Sequence, residues 1–142
     1  METYFDCFQN ASAVLFKLKN YSSSMSKTIL VVEDDSKISH LVSEIITDSG
    51  YNVVLASTGN KAILQYEKHK PDLVIMDISM PEKDGDEASI EIKKQFPEAK
   101  IILMTAFGRD WVEQTVKSTE ILGVLHKPFE VSTLQKLLTK YA

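Results

Sequence analysis

From Thr28 onward, short and almost wholly apolar runs alternate with segments whose apolar residues recur every three or four positions. The runs are Thr28–Val32, Tyr51–Ala56, Leu73–Met76, Ile101–Met104 and Gly123–His126. A run that is apolar at successive positions reads as a strand covered on both faces. Between the first two runs, Ile38, Leu41, Val42, Ile45 and Ile46 fall at helical spacing, and Gly50 stands where a helix stop is expected. Further helices are predicted near Asn60–Lys68, closed before Pro71, and from about Asp86 to Phe96, stopped by Pro97. Another is predicted near Asp110–Ser118, and a last one carries Val131, Leu134, Leu137, Leu138 and Tyr141. Five βα units in succession predict an α/β class: a doubly wound, five-stranded parallel sheet with helices on both faces. Right-handed crossovers restrict the topology further.

Bulk properties narrow the functions open to such a fold. The chain has 142 residues, about one domain's length, and a net charge of −4 with no basic block. Direct nucleic-acid binding wants a basic face, so none is expected. The one cysteine, Cys7, excludes an intramolecular disulfide, and no basic neighbour marks it as a reactive thiol. No apolar run approaches the roughly 20 residues of a membrane span. Glu2, Asp6 and Lys17 argue against a signal peptide, so a cytoplasmic protein is expected. Residues 1–26 read as an N-terminal extension and linker ending in Asn20–Ser24, and residues 27–142 as the domain. Within the extension Tyr4, Phe8, Ala11, Leu15 and Leu18 are spaced as an amphipathic helix. The absence of a basic polar face favours a poorly ordered tail instead.

In open parallel sheets, sites form beyond the carboxyl ends of the strands. The residues found there are pointed. The first strand ends in Glu33-Asp34-Asp35, the third in Asp77, the fourth in Thr105, and the fifth in Lys127-Pro128. Each has a plain reading alone: the acidic run can cap the next helix, and Asp77 can be an ordinary loop acid. Their shared edge is what makes a site. Crowded carboxylates resist ionisation together, and a divalent cation relieves them. Oxygen donors in small number suit Mg²⁺, which keeps several waters and often meets a phosphate. Aspartate can act as nucleophile and form an aspartyl phosphate. Thr105 could hydrogen-bond a phosphoryl oxygen, and Lys127 could pair with one.

The segments Ile29-Leu30-Val31-Val32-Glu33-Asp34, Ile75-Met76-Asp77-Ile78-Ser79-Met80-Pro81, Asp84-Gly85, Met104-Thr105-Ala106 and Lys127-Pro128-Phe129 closely resemble the bacterial response-regulator receiver family in order and spacing. The resemblance spans about residues 27–141. It implies a flavodoxin-like (βα)5 fold with strand order 2-1-3-4-5. It implies that Asp77 is phosphorylated by a histidine kinase or histidine phosphotransfer protein. Mg²⁺ would be held by Asp34 and Asp77 directly, by Glu33 through water and by the Ser79 carbonyl. Thr105 would sense the phosphoryl group, Lys127 would contact it, and the Lys127–Pro128 peptide would be cis. Asp35 lies outside the acidic pair and reads as a helix cap. Output would pass to a separate downstream protein, by phospho-dependent binding or onward phosphotransfer, from a monomer or weak dimer.

Some positions depart from the pattern or stay open. The family usually carries an aromatic residue three positions before the lysine; here it is Val124, with Phe107 as a conceivable substitute. Ser79 leaves the pocket mouth small-sided. Histidines His40, His69 and His126 read as solvated or packing residues, with His69 in a loop, and Trp111 as core or partner-facing. Two other functions compete. A Mg²⁺-dependent phosphohydrolase with an aspartate nucleophile, of the haloacid-dehalogenase type, would want a second aspartate where Ser79 stands. A receiver-like interaction module that is never phosphorylated would not need Glu33, Asp34, Asp77, Thr105 and Lys127 together.

Overall fold

The computed structural model describes residues 26–78, 85–106, 113–114 and 120–142. Five strands form one parallel sheet in the order β2-β1-β3-β4-β5. They are β1 (Thr28–Val32), β2 (Asn52–Ala56), β3 (Leu73–Asp77), β4 (Ile101–Thr105) and β5 (Gly123–His126). The fold is flavodoxin-like with the strand order that the family resemblance implies. β3 and β4 are buried at every position, which explains why they lack the polar alternation of a half-covered strand.

Among the described residues four helices cover the sheet: α1 (Ser36–Asp48), α2 (Gly59–His69), α3 (Gly85–Gln95) and α4 (Val131–Tyr141). Side chains alternate along each strand, so the core divides in two. Leu30, Val32, Val74, Met76 and Leu103 pack with Ala62 and Tyr66 of α2 and Ala88 and Ile92 of α3. Ile29, Val31, Ile75, Ile102 and Leu125 pack on the other face with Val42 and Ile46 of α1 and Leu134 and Leu138 of α4.

The helix ends follow local chemistry. Asp35 is the N-cap of α1, and its side chain accepts from the Lys37 and Ile38 N–H groups. Past the C-cap Ser49, Gly50 takes φ 95°, a conformation that favours glycine. Thr58 caps α2 by accepting from the Lys61 N–H. His69, read from the sequence as a loop residue, is the last residue of α2, and the C-cap Lys70 turns the chain out of the helix with φ 46°. Of the helix expected near 110–118 only residues 113–114 are described, and these are helical; residues 1–25, Phe107 and Trp111 lie outside the described residues.

Candidate functional site at the carboxyl edge of the sheet

The parallel register sets the site. β1 and β3 are neighbours, with Val32 paired to Met76, so the residues that follow them emerge side by side. Glu33 extends β1 by one residue, its N–H donating to the Ala56 carbonyl at 3.0 Å. Asp77 closes β3, and the next N–H, of Ile78, donates to the Met104 carbonyl at 3.2 Å. Thr105 closes β4 and is 1% exposed. The Lys127 N–H donates to the Thr105 carbonyl at 2.7 Å, which ties the end of β5 to the end of β4. The Lys127–Pro128 peptide is cis.

These connections gather Glu33, Asp34 and Asp77 so that one carboxylate oxygen from each lies within 4.8 Å of the others. Glu33 and Asp77 are buried, while Asp34 is exposed and opens the cluster to solvent. The Lys127 ammonium reaches over them. It lies 3.0 Å from Glu33 Oε2 and 3.3 Å from Asp77 Oδ2. The Asp35 N–H adds a donor to Glu33 Oε1 at 3.2 Å. Ser79 lies outside the described residues.

The electrostatics follow from burial. Burial, helped by the charge of Asp77, pushes the Glu33 carboxyl up to about 7, against the hydrogen bond and charge of Lys127 and the Asp35 N–H. Burial works to lower the Lys127 ammonium, but the Glu33 hydrogen bond and the Asp77 and Glu33 charges outweigh it and raise it. The lysine therefore stays charged. Three carboxylates face one ammonium at the strand ends, so the carboxyl groups outnumber the cations. All the donors are oxygens, and one carboxylate faces water. That set fits a hard, partly hydrated divalent cation such as Mg²⁺.

The family model described as the response regulator receiver domain matches residues 29–139. The chain belongs to the response-regulator receiver family. This receiver is 37% identical over 117 residues to the chemotaxis protein CheY of Thermotoga maritima, covering 82% of this chain and 98% of that one. It is 38% identical over 114 residues to the transcriptional regulatory protein PdtaR of Mycobacterium tuberculosis, covering 79% of this chain and 55% of that one. The chemotaxis protein CheY4 of Vibrio cholerae has the same fold, with a TM-score of 0.78 at 29% identity, covering 83% of this chain and 100% of that one. Receiver domains bind Mg²⁺ at an acidic pocket and interact with histidine kinases and downstream targets. Glu33, Asp34 and Asp77 form the acidic cluster of this receiver.

Sequence reasoning missed two features. It assigned Lys127 to a phosphate and did not anticipate the lysine bridging Glu33 and Asp77. It also read Asp35 as a cap alone, whereas its N–H holds Glu33 as well. Neither is encoded in strand-end spacing, because both depend on how far a side chain or turn reaches. Val124 is half-buried on β5, opposite Leu103 in register.

Proposed function

We propose that this receiver is a phosphoryl acceptor, with Asp77 as nucleophile and a phosphohistidine of a histidine kinase or histidine phosphotransfer protein as donor. A carboxylate oxygen of Asp77 attacks phosphorus, the P–N bond breaks, and its electron pair returns to the imidazole. The product is an acyl phosphate on Asp77, which a water molecule later hydrolyses to regenerate the carboxylate. Glu33, Asp34 and Asp77, with the Ser79 carbonyl, would hold Mg²⁺, whose chemistry there is to neutralise the carboxylates and the phosphoryl oxygens.

Lys127 already sits against Asp77 at 3.3 Å, so its ammonium is placed to follow the transferred phosphoryl group. Thr105, buried beside Asp77 at the end of the neighbouring strand, offers a hydroxyl to the same group. Phosphorylation adds about −1.5 to −2 charge at a site already short of cations. That charge shifts the equilibrium between two states of the strand-end loops, which contacting proteins read. The domain is proposed to comprise residues 27–142, with residues 1–26 as an extension to it.

One observation carries the reading: Lys127 spans Glu33 and Asp77 while Asp34 stays open to solvent. A cation deficit, a nucleophile and a phosphate partner meet at one point. The test is incubation with Mg²⁺ and acetyl phosphate, followed by intact mass. One acid-labile phosphoryl adduct on the wild type, absent from Asp77→Asn and absent without Mg²⁺, is the expected result. No adduct under any condition would overturn the reading, and turnover of unrelated phosphate esters would favour a phosphohydrolase.

A further inference from the structure

The β2 edge of the sheet carries a groove that adjoins the acidic cluster and shares Glu33 and Asp34 with it. Among the described strands β2 is the outer one at that side, paired with β1 alone. Beyond it lies open space of about 540 Å³, bounded by the end of β2, the first turn of α1 and the outward face of α2. Two leucines stand in it uncovered: Leu55 is 48% exposed and Leu64 65% exposed. Single exposed leucines are ordinary, but two lining one concavity mark a candidate contact surface.

The charges beside them are arranged. Lys61, Leu64 and Lys68 fall at i, i+3 and i+7 on α2, so one stripe sets an aliphatic side chain between two ammonium groups. The Lys61 ammonium donates to the Ser57 hydroxyl at 3.1 Å, and among the described residues neither lysine has a salt-bridge partner. The Leu55 carbonyl at the sheet edge accepts from the Gln65 amide at 3.5 Å, longer than a well-formed hydrogen bond and open to exchange. Glu33 and Asp34 line the opposite wall. An occupant therefore has to present carboxylates toward α2, keep them away from Asp34, and fill the middle with an aliphatic side chain.

We infer that this groove is a docking site for a segment of another protein that carries an aliphatic residue flanked by carboxylates. A small anion would leave both leucines wet. A flat anionic bilayer would match the lysines but not a concave surface with Asp34 on its wall. The inference does not depend on phosphorylation of Asp77.

The test pans a phage-displayed random dodecapeptide library against the full chain with Mg²⁺ and measures synthetic copies of the enriched peptides. Enriched sequences should carry Leu, Ile or Val flanked by Asp or Glu, and should shift the backbone amide signals of Leu55, Ser57 and Leu64. Affinity should fall about tenfold or more in Leu64→Ser and in the double variant Lys61→Ser/Lys68→Ser, with melting temperature unchanged. Lys61→Arg/Lys68→Arg should bind as wild type. Failure to enrich such peptides, or peptides that bind the Ser variants equally well, would overturn the inference. So would concentration-dependent self-association abolished by Leu64→Ser, which assigns the groove to a second copy. Binding to phosphatidylserine vesicles abolished by the lysine variant would assign it to a membrane and overturn it likewise.

Discussion

The Lys127 ammonium lies 3.0 Å from Glu33 Oε2, joining residues 94 positions apart at the point where five strands end. Glu33 is almost fully buried there, and breaking a buried pair leaves a charge without compensation. Lys127→Ala should destabilise the metal-free protein by up to about 3 kcal/mol, the low end for such pairs, because Glu33 can take up a proton. The same change removes a competitor for the carboxylates. Mg²⁺ should then raise the melting temperature of Lys127→Ala more than that of the wild type, while phosphorylation by acetyl phosphate slows. Thermal melts with and without Mg²⁺ check this, and equal Mg²⁺ shifts would contradict it.

The pH dependence follows from Glu33, whose carboxyl is pushed up to about 7, first by burial and then by Asp77. In the metal-free protein Glu33 binds its proton more tightly folded than unfolded. That contribution to stability is fully present below its ordinary value of 4.5 and is lost as pH rises through about 7. Metal binding has the opposite slope, since it favours the ionised carboxylate. Mg²⁺ affinity should rise between about pH 6 and pH 8 and release protons, and Glu33→Gln should flatten the slope. Calorimetric titrations in buffers of different ionisation enthalpy measure the release; an affinity independent of pH across that window would sink the assignment.

Most of this arrangement was legible in the chain. Ile101–Met104 reads as a strand because it is apolar at every position, and it is so because both faces of β4 are buried. Once the strands are placed, a parallel sheet forces Glu33, Asp77, Thr105 and Lys127 to one edge. Less was legible where reach decides. Nothing in the spacing says that Lys127 bridges Glu33 and Asp77. The pattern of α2 holds Ile63 and Leu64 in succession, and periodicity cannot tell which is packed; Ile63 lies against the core and Leu64 faces the groove. Lys70 takes a left-handed turn that a sequence reader would have reserved for glycine.

Asp77 adds to the crowding that raises Glu33, so removing its charge relieves the folded state. Asp77→Asn weakens the Lys127–Asp77 pair at 3.3 Å, but Lys127 keeps Glu33 at 3.0 Å, so the metal-free protein should gain about 1 kcal/mol as the repulsion is relaxed. It should also shrink the stabilisation that Mg²⁺ gives. Urea unfolding with and without Mg²⁺ measures both, and an Asn variant less stable than wild type in the absence of metal would contradict the repulsion argument.

Asp35 couples a helix cap to the acidic cluster. Its carboxylate accepts from the Lys37 N–H at 2.9 Å and the Ile38 N–H at 3.4 Å, while its own N–H donates to Glu33 Oε1 at 3.2 Å. Asp35→Ala should cost about 1 kcal/mol in urea unfolding through the lost cap. The first turn of α1 would then fray, the N–H would no longer be held against Glu33, and Mg²⁺ affinity should fall. Asp35→Asn keeps a capping oxygen but removes the charge, so it should retain both stability and most of the affinity. If the Asn variant loses Mg²⁺ affinity as far as the Ala variant does, the effect of Asp35 on the site is its charge acting at a distance, and the turn geometry is not what holds Glu33 in place.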